Sequence, residues 1–179
     1  MQAGEILSFW FDELRPEQWW RADAALDREI RRRFEPVHGA ANRGELWRWR
    51  DTGDGRLAEV IVLDQFSRNM YRGDSRAFGS DALALVLAQE AIRAHDDERL
   101  PIEQRPFLYM PFCHSESLAI HEVAMHLFAQ PGLEENLDYE IRHRKIIEHF
   151  GRYPHRNRIL GRASTPEEEA FLREPGSSF

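Results

Sequence analysis

Apolar residues recur along most of this chain at spacings of three and four, the period of an α-helix rather than the alternation of a half-buried strand. Ile6, Leu7, Trp10 and Phe11 mark an amphipathic first helix. Asp23 can cap a second one that runs towards Ala41 and carries Leu26, Ile30, Phe34 and Val37 on one face. Most of its arginines (Arg28 and Arg31 to Arg33) fall off that face, as a solvated stripe would. Gly44 closes the segment, Leu46, Trp47 and Trp49 form a short aromatic piece, and residues 52–55 make a turn. From Leu57 the run LAEVIVL is apolar almost all round, which predicts a central, buried helix. A helix over 75–94 follows, marked by Phe78, Leu83, Leu87 and Ala91. Pro101, Pro106 and Pro111 then punctuate short segments. Helices are expected over about 115–129 and over 136–150, the latter ended by Gly151. Thr165-Pro166-Glu167-Glu168 has the spacing of a capping box with proline at the first helical position, and opens a last helix through Leu172. Residues 175–179 are a short tail. No stretch alternates as a strand does, so the pattern implies an all-α protein of antiparallel, layered helices with short connections.

Composition narrows the class. With 179 residues the chain fits one domain, 1–179, with room for a substantial core. A formal charge of -7 disfavours a general nucleic-acid binder. The charge is unevenly placed, however: residues 141–162 carry seven basic side chains against the single acid Glu148. All but one of the 24 basic residues are arginine, Lys145 being the exception, and arginine forms bidentate forks with carboxylate or phosphate that lysine cannot. One cysteine, Cys113, excludes an internal disulfide and fits a reducing compartment. The N-terminus lacks the pattern of a signal peptide and no stretch has the length of a membrane span, so a soluble cytoplasmic protein is expected, with no membrane partner.

Candidate chemistry lies in three runs that mix aromatic with polar residues: 63–73 (LDQFSRNMYRG), 109–117 (YMPFCHSES) and 143–162 (HRKIIEHFGRYPHRNRILGR). Such polar side chains are rarely buried without partners, so the runs should meet in one hydrogen-bonded cluster. On the central helix Asp64 and Arg68 stand in the favourable i, i+4 order, with Gln65, Asn69 and Arg72 as the adjacent stripe. His114, Leu118, His121, Met125 and Phe128 share a face, which turns these histidines inward; His114 oriented by Glu116 is a candidate general base. Around Gly151 and Pro154 the chain stops and restarts a helix beside Arg152, His155, Arg156 and Asn157, a plausible grip for an anion. No metal site is expected. His121 and His126 are five apart and diverge, unlike the four-residue spacing of a zinc-protease helix, and the other histidines are poorly spaced for chelation. No cofactor motif is present either; phosphate loops and nucleophile elbows are absent, and Cys113 gains no activation from being next to His114. The pattern Arg-Asn-x-x-x-Gly occurs twice, at 68–73 and 156–161, too short an echo to indicate duplication.

Residues 6–11 (ILSFWF), Trp19 and Trp20, 63–73, 109–116 and 150–165 (FGRYPHRNRILGRAST) together resemble a bacterial family known as domain of unknown function 924. The resemblance spans nearly the whole chain and includes Asp64, Gln65, Arg68, Asn69, His114, Ser115, Glu116, Gly151, Arg152, Pro154, His155, Arg156 and Asn157. It implies stacked antiparallel hairpins similar to those of tetratricopeptide (TPR-like) proteins. The family has no established activity, so the resemblance assigns no catalytic residue. Three functional readings follow from the residues. One is a binding module whose Arg/His/Asn-rich pocket holds a small anionic molecule or a peptide carboxylate. Another is an enzyme of hydrolase or transferase type, with His114, Glu116 or His155 in acid–base roles on a phosphorylated or carboxylated substrate. The third is a purely structural polar cluster in a protein that forms homo-oligomers.

Overall fold

The computed structural model describes residues 1–177, so of the tail expected over 175–179 the positions Ser178 and Phe179 lie outside the described residues. Helix α1 (Ala3–Leu7) widens into a π-helical stretch, Ser8–Glu13. It is followed by α2 (Pro16–Trp19) and α3 (Ala24–Asn42). A 3₁₀ turn (Trp47–Asp51) leads to α4 (Gly53–Ile61), which continues without a break through the π-helical turn Val62–Phe66 into α5 (Ser67–Met70). Another 3₁₀ turn, Ser75–Phe78, precedes α6 (Asp81–Arg93). Then come α7 (Arg105–Cys113), α8 (Leu118–Phe128), α9 (Glu134–Phe150), the 3₁₀ turn Pro154–Arg156 and α10 (Pro166–Phe171). Among the described residues there is no strand.

Local rules account for most boundaries. The Asp23 carboxylate accepts from the N–H groups of Ala25 and Leu26 at the start of α3, whose inward face is the expected Leu26, Ile30, Phe34 and Val37. The Thr165–Glu168 capping box forms at α10, and Gly151 ends α9 in the left-handed conformation. The α4–α5 rod is the centre of the molecule: every side chain from Leu57 to Ser67 is buried. It is packed by α1, α3, α6 and α7, while α8 covers α7 and α9 covers α8. Phe9, Phe34 and Phe66 form an aromatic knot with ring centroids 4.7–6.0 Å apart, and the apolar core continues from Ile6 to Leu133. Ile146, Ile147 and Tyr153 make a smaller second cluster with Phe150 and Phe171.

Three differences from the sequence pattern matter for the site. The region punctuated by proline is a real helix, α7, with Pro106 in its first turn and Pro111 in its interior. Proline normally breaks a helix by removing a donor and crowding the carbonyl four residues back. Here residues 106–113 are all buried, and packing outweighs the loss. Next, α8 begins at Leu118 rather than 115, so His114, Ser115 and Glu116 form the turn between α7 and α8. Finally, the helix expected over 75–94 is divided, and α6 starts at Asp81.

Candidate functional site

A chain of alternating charges runs outward from the centre of the rod. Asp64 sits in the π-helical turn with no solvent exposure, at 0 %. Its Oδ1 lies 2.7 Å from Nδ1 of His114 and 3.2 Å from Nη1 of Arg68, and its Oδ2 accepts from the Gln65 amide at 2.6 Å. Arg68 then forks onto Asp81, at the first turn of α6, with bonds of 2.9 and 3.1 Å. From the C-terminal 3₁₀ turn, Arg156 Nη1 reaches Asp81 Oδ2 at 3.2 Å. The expected i, i+4 pair therefore exists, and it forms the inner end of a longer chain.

Electrostatics define the protonation states. Burial alone would push the Asp64 carboxyl up, but the Arg68 charge, then His114 and the hydrogen bonds, more than offset it and hold the group well below its ordinary value. Asp64 is thus an ionised acceptor, so the proton in the His114–Asp64 bond belongs to His114 Nδ1. Burial, followed by the Arg68 charge, lowers the His114 pKa and keeps the ring neutral near pH 7. Its Nε2 carries the lone pair. That nitrogen makes no hydrogen bond among the described residues and is not enclosed by protein.

The open edge of His114 faces a groove of about 390 Å³, whose walls include Phe78, Asp81, Leu85, Pro111, Arg156 and Leu160. Arg156 is only 6 % exposed, clamped between the rings of Phe78 and Tyr153 at 4.6 and 4.7 Å from their centroids. It spends one donor on Asp81. Its Nε is buried without a hydrogen-bond partner among the described residues, and Nη2 makes none either. Burial, then repulsion from Arg68, lowers its pKa, against the opposing pull of Asp81.

The remaining expected site residues divide between this chain and contacts elsewhere. Gln65 bonds Asp64 and touches the Met110 sulfur at 3.0 Å. Asn69 and Arg72 both bind Asp27 of α3, at 2.7–2.9 Å, and so tie α5 to α3. Arg152 forks onto Glu168 of α10 at 2.7 and 2.8 Å, where Asn157 also donates. His155 lines up beside Arg156, and burial followed by that arginine's charge lowers its pKa to about 4. Glu116 does not orient His114. Its carboxylate is taken by the Arg162 fork, at 2.6 and 2.8 Å, and by the Tyr153 N–H, at 2.7 Å; the orienting carboxylate is Asp64. His121 does turn inward, as expected, with its ring nitrogens 2.6 Å from the Glu140 carboxyl and 2.9 Å from the Ser115 carbonyl. The Tyr153 hydroxyl donates to the Cys113 carbonyl, and burial pushes the Cys113 thiol well above its ordinary value. The three runs therefore converge, as expected: Asp64 and Arg68, His114 and Arg156 share the chain that passes through Asp81, while Glu116, Arg152, Asn157 and Arg162 form a second ionic cluster with Glu168, and Asn69 and Arg72 a third on Asp27. No three His, Cys, Asp or Glu side chains converge as a metal-holding group among the described residues.

Sequence reasoning missed Asp81, Phe78 and Arg162. In the sequence Asp81 lies inside the helix expected over 75–94 and carries no local signal; only the division of that helix places it in the first turn of α6, where the helix dipole favours an acid. The repeated Arg-Asn-x-x-x-Gly pattern does have a counterpart: Arg68 and Arg156 meet on Asp81, and Gly73 and Gly161 are both left-handed, at φ 83° and 66°.

Fold and site together define an all-helical protein with a buried acid–histidine–arginine chain opening into a surface groove. The chain belongs to the bacterial family of unknown function DUF924, whose model matches residues 6–176. It is similar to the solved structure of a protein of unknown function from Agrobacterium tumefaciens, with 40 % identity, a TM-score of 0.91 and 96 % of each chain covered. Among curated proteins none matches.

Proposed function

We propose that the groove beside Arg156 is a binding site for a small anionic ligand, a carboxylate or phosphate, or the carboxylate end of a peptide. The observation that carries this reading is the state of Arg156: a nearly buried guanidinium, immobilised between two aromatic rings, with one 3.2 Å hydrogen bond and donors left over. A buried cation is ordinarily matched by carboxylates and hydrogen bonds, because desolvation otherwise costs several kcal/mol. Arg68 meets that condition with bonds to Asp64 and Asp81; Arg156 meets it only in part. An anion in the groove completes its coordination with charge-assisted bonds, each worth about 1.5–3 kcal/mol. The volume of about 390 Å³ is in the range of small-molecule sites.

The test is a thermal-unfolding series with glutarate, acetate and inorganic phosphate on wild type, Arg156→Ala and Arg156→Lys. Wild type should be stabilised by an amount that grows with the logarithm of ligand concentration once it exceeds Kd. Arg156→Lys keeps the charge but not the fork and should bind roughly 10- to 100-fold more weakly. If none of the three anions raises the wild-type midpoint, the reading fails.

A further inference from the structure

We propose that the groove is catalytic as well as anion-binding: His114 Nε2 acts as the general base that draws a water molecule onto the carbonyl carbon of a short ester carrying a carboxylate at its other end. This rests on the reading of Arg156 as the anion grip and adds a reaction to it. The argument is geometric. A histidine that only fills space in a protein interior spends both ring nitrogens on internal partners, as His121 does with Glu140 and Ser115. His114 spends one. Its Nδ1–H is fixed by a fully buried carboxylate at 2.7 Å, and the opposite nitrogen opens into the groove that Arg156 lines. A buried carboxylate behind an imidazole selects the tautomer, aims the ring and stabilises the imidazolium that forms when the ring takes a proton. Asp64 is therefore a positioning residue, and His114 the group that touches the reacting water.

The substrate class follows from the other walls. Phe78, Leu85, Pro111 and Leu160 supply apolar surface for a short acyl chain. Asp81 already accepts from both Arg68 and Arg156, so two carboxylates balance two guanidiniums in this chain, and a singly charged carboxylate is repelled by Asp81 less than a doubly charged phosphate monoester would be. In the reaction His114 Nε2 takes a proton from the water, and the water oxygen bonds to the ester carbon, whose carbonyl electrons move onto oxygen. The intermediate collapses with rupture of the bond to the alcohol oxygen, and the imidazolium returns its proton to that leaving group. The products are a dicarboxylic acid and an alcohol, with water as co-reactant and His114 restored. The charged and titratable groups coupled to the ring are Asp64 and Arg68 from the rod, Asp81 from α6, His143 from α9 and His155 from the C-terminal turn, and Glu116 and Arg156 line the same groove.

Mono-4-nitrophenyl glutarate and 4-nitrophenyl butyrate are the test substrates, with glutarate affinity measured in parallel by calorimetry. Wild type should cleave the anionic half-ester in preference to the neutral ester. His114→Gln should lose about 10²- to 10⁴-fold in kcat with little change in KM, and should also lose the acid limb of the pH–rate profile. Asp64→Asn, checked for folding by circular dichroism, should retain glutarate binding and lose kcat; should it fail to fold, His114→Gln decides alone. A wild type that binds glutarate yet cleaves no faster than His114→Gln overturns the catalytic proposal and leaves the anion site standing. Absence of glutarate binding overturns both. Equal rates on the two esters overturn the substrate class.

Discussion

At the residue scale, Asp64 concentrates the physics of this protein. It is a fully buried carboxylate that survives ionised because Arg68 sets an opposite charge beside it and His114 and Gln65 each give it a donor. Removing it as Asp64→Ala would strand Arg68 against one remaining carboxylate and unbind His114. The expected loss is about 3–5 kcal/mol, read as a lower urea midpoint at pH 7; a loss under about 1 kcal/mol would show the cluster to be well hydrated and the pairing unimportant. The Asp64–Arg68 pair was legible from spacing alone, because a helix brings i and i+4 together whatever surrounds it. The partners of Arg156, Glu116 and Asn157 were not. Those contacts join positions up to 75 apart in sequence, and no local rule chooses among the 31 acids of this chain.

At the element scale, the helices were largely readable because their stops and starts are local chemistry: Asp23, Gly44, Gly151 and the Thr165 box each act within a few residues. Helix α7 was not, since proline statistics describe isolated segments and tertiary burial overrode them. The junction between the Trp47–Asp51 turn and α4 gives a sharp prediction. A Cβ added at Gly55 would stand 1.9 Å from the Trp49 carbonyl oxygen, a backbone atom that cannot rotate away. Gly55→Ala should therefore cost at least about 2 kcal/mol in thermal or urea unfolding. Gly4 in α1 has open space around its added Cβ, and Gly4→Ala should be neutral or stabilising by up to about 1 kcal/mol. Equal effects of the two substitutions would mean that the close approach at Gly55 does not hold in solution.

At the scale of the whole molecule, stability should fall in mild acid. His143 and His155 are held down to about 4 from an ordinary 6.5, in both cases chiefly by burial. Between those values the unfolded chain binds protons that the folded chain refuses, so acidification favours unfolding by up to about 1.4 kcal/mol per pH unit for each histidine. The penalty is absent above pH 6.5 and complete below 4. Asp64 and Glu168 add the same sign at lower pH: their folded values lie below the ordinary carboxylate range, so the stability they contribute is lost as pH falls through them. Urea midpoints at pH 7.5, 6 and 5 check this; a constant midpoint would show that both histidines charge freely in the folded state. Also at this scale, no helix among the described residues is long and apolar enough to cross a membrane.

By itself, the order of residues determined the helical class, most helix ends, the buried central rod, the acid–arginine pair one turn apart and the family, because periodicity, capping and motif are all written within short windows. Only the tertiary structure decided that Asp64 rather than Glu116 orients His114, that Asp81 joins two distant arginines, and that Asn69, Arg72 and Arg152 brace helices away from the groove. An ion pair is chosen by which charges the packed backbone brings within about 4 Å of each other, and at that range the Coulomb energy ignores their separation along the chain.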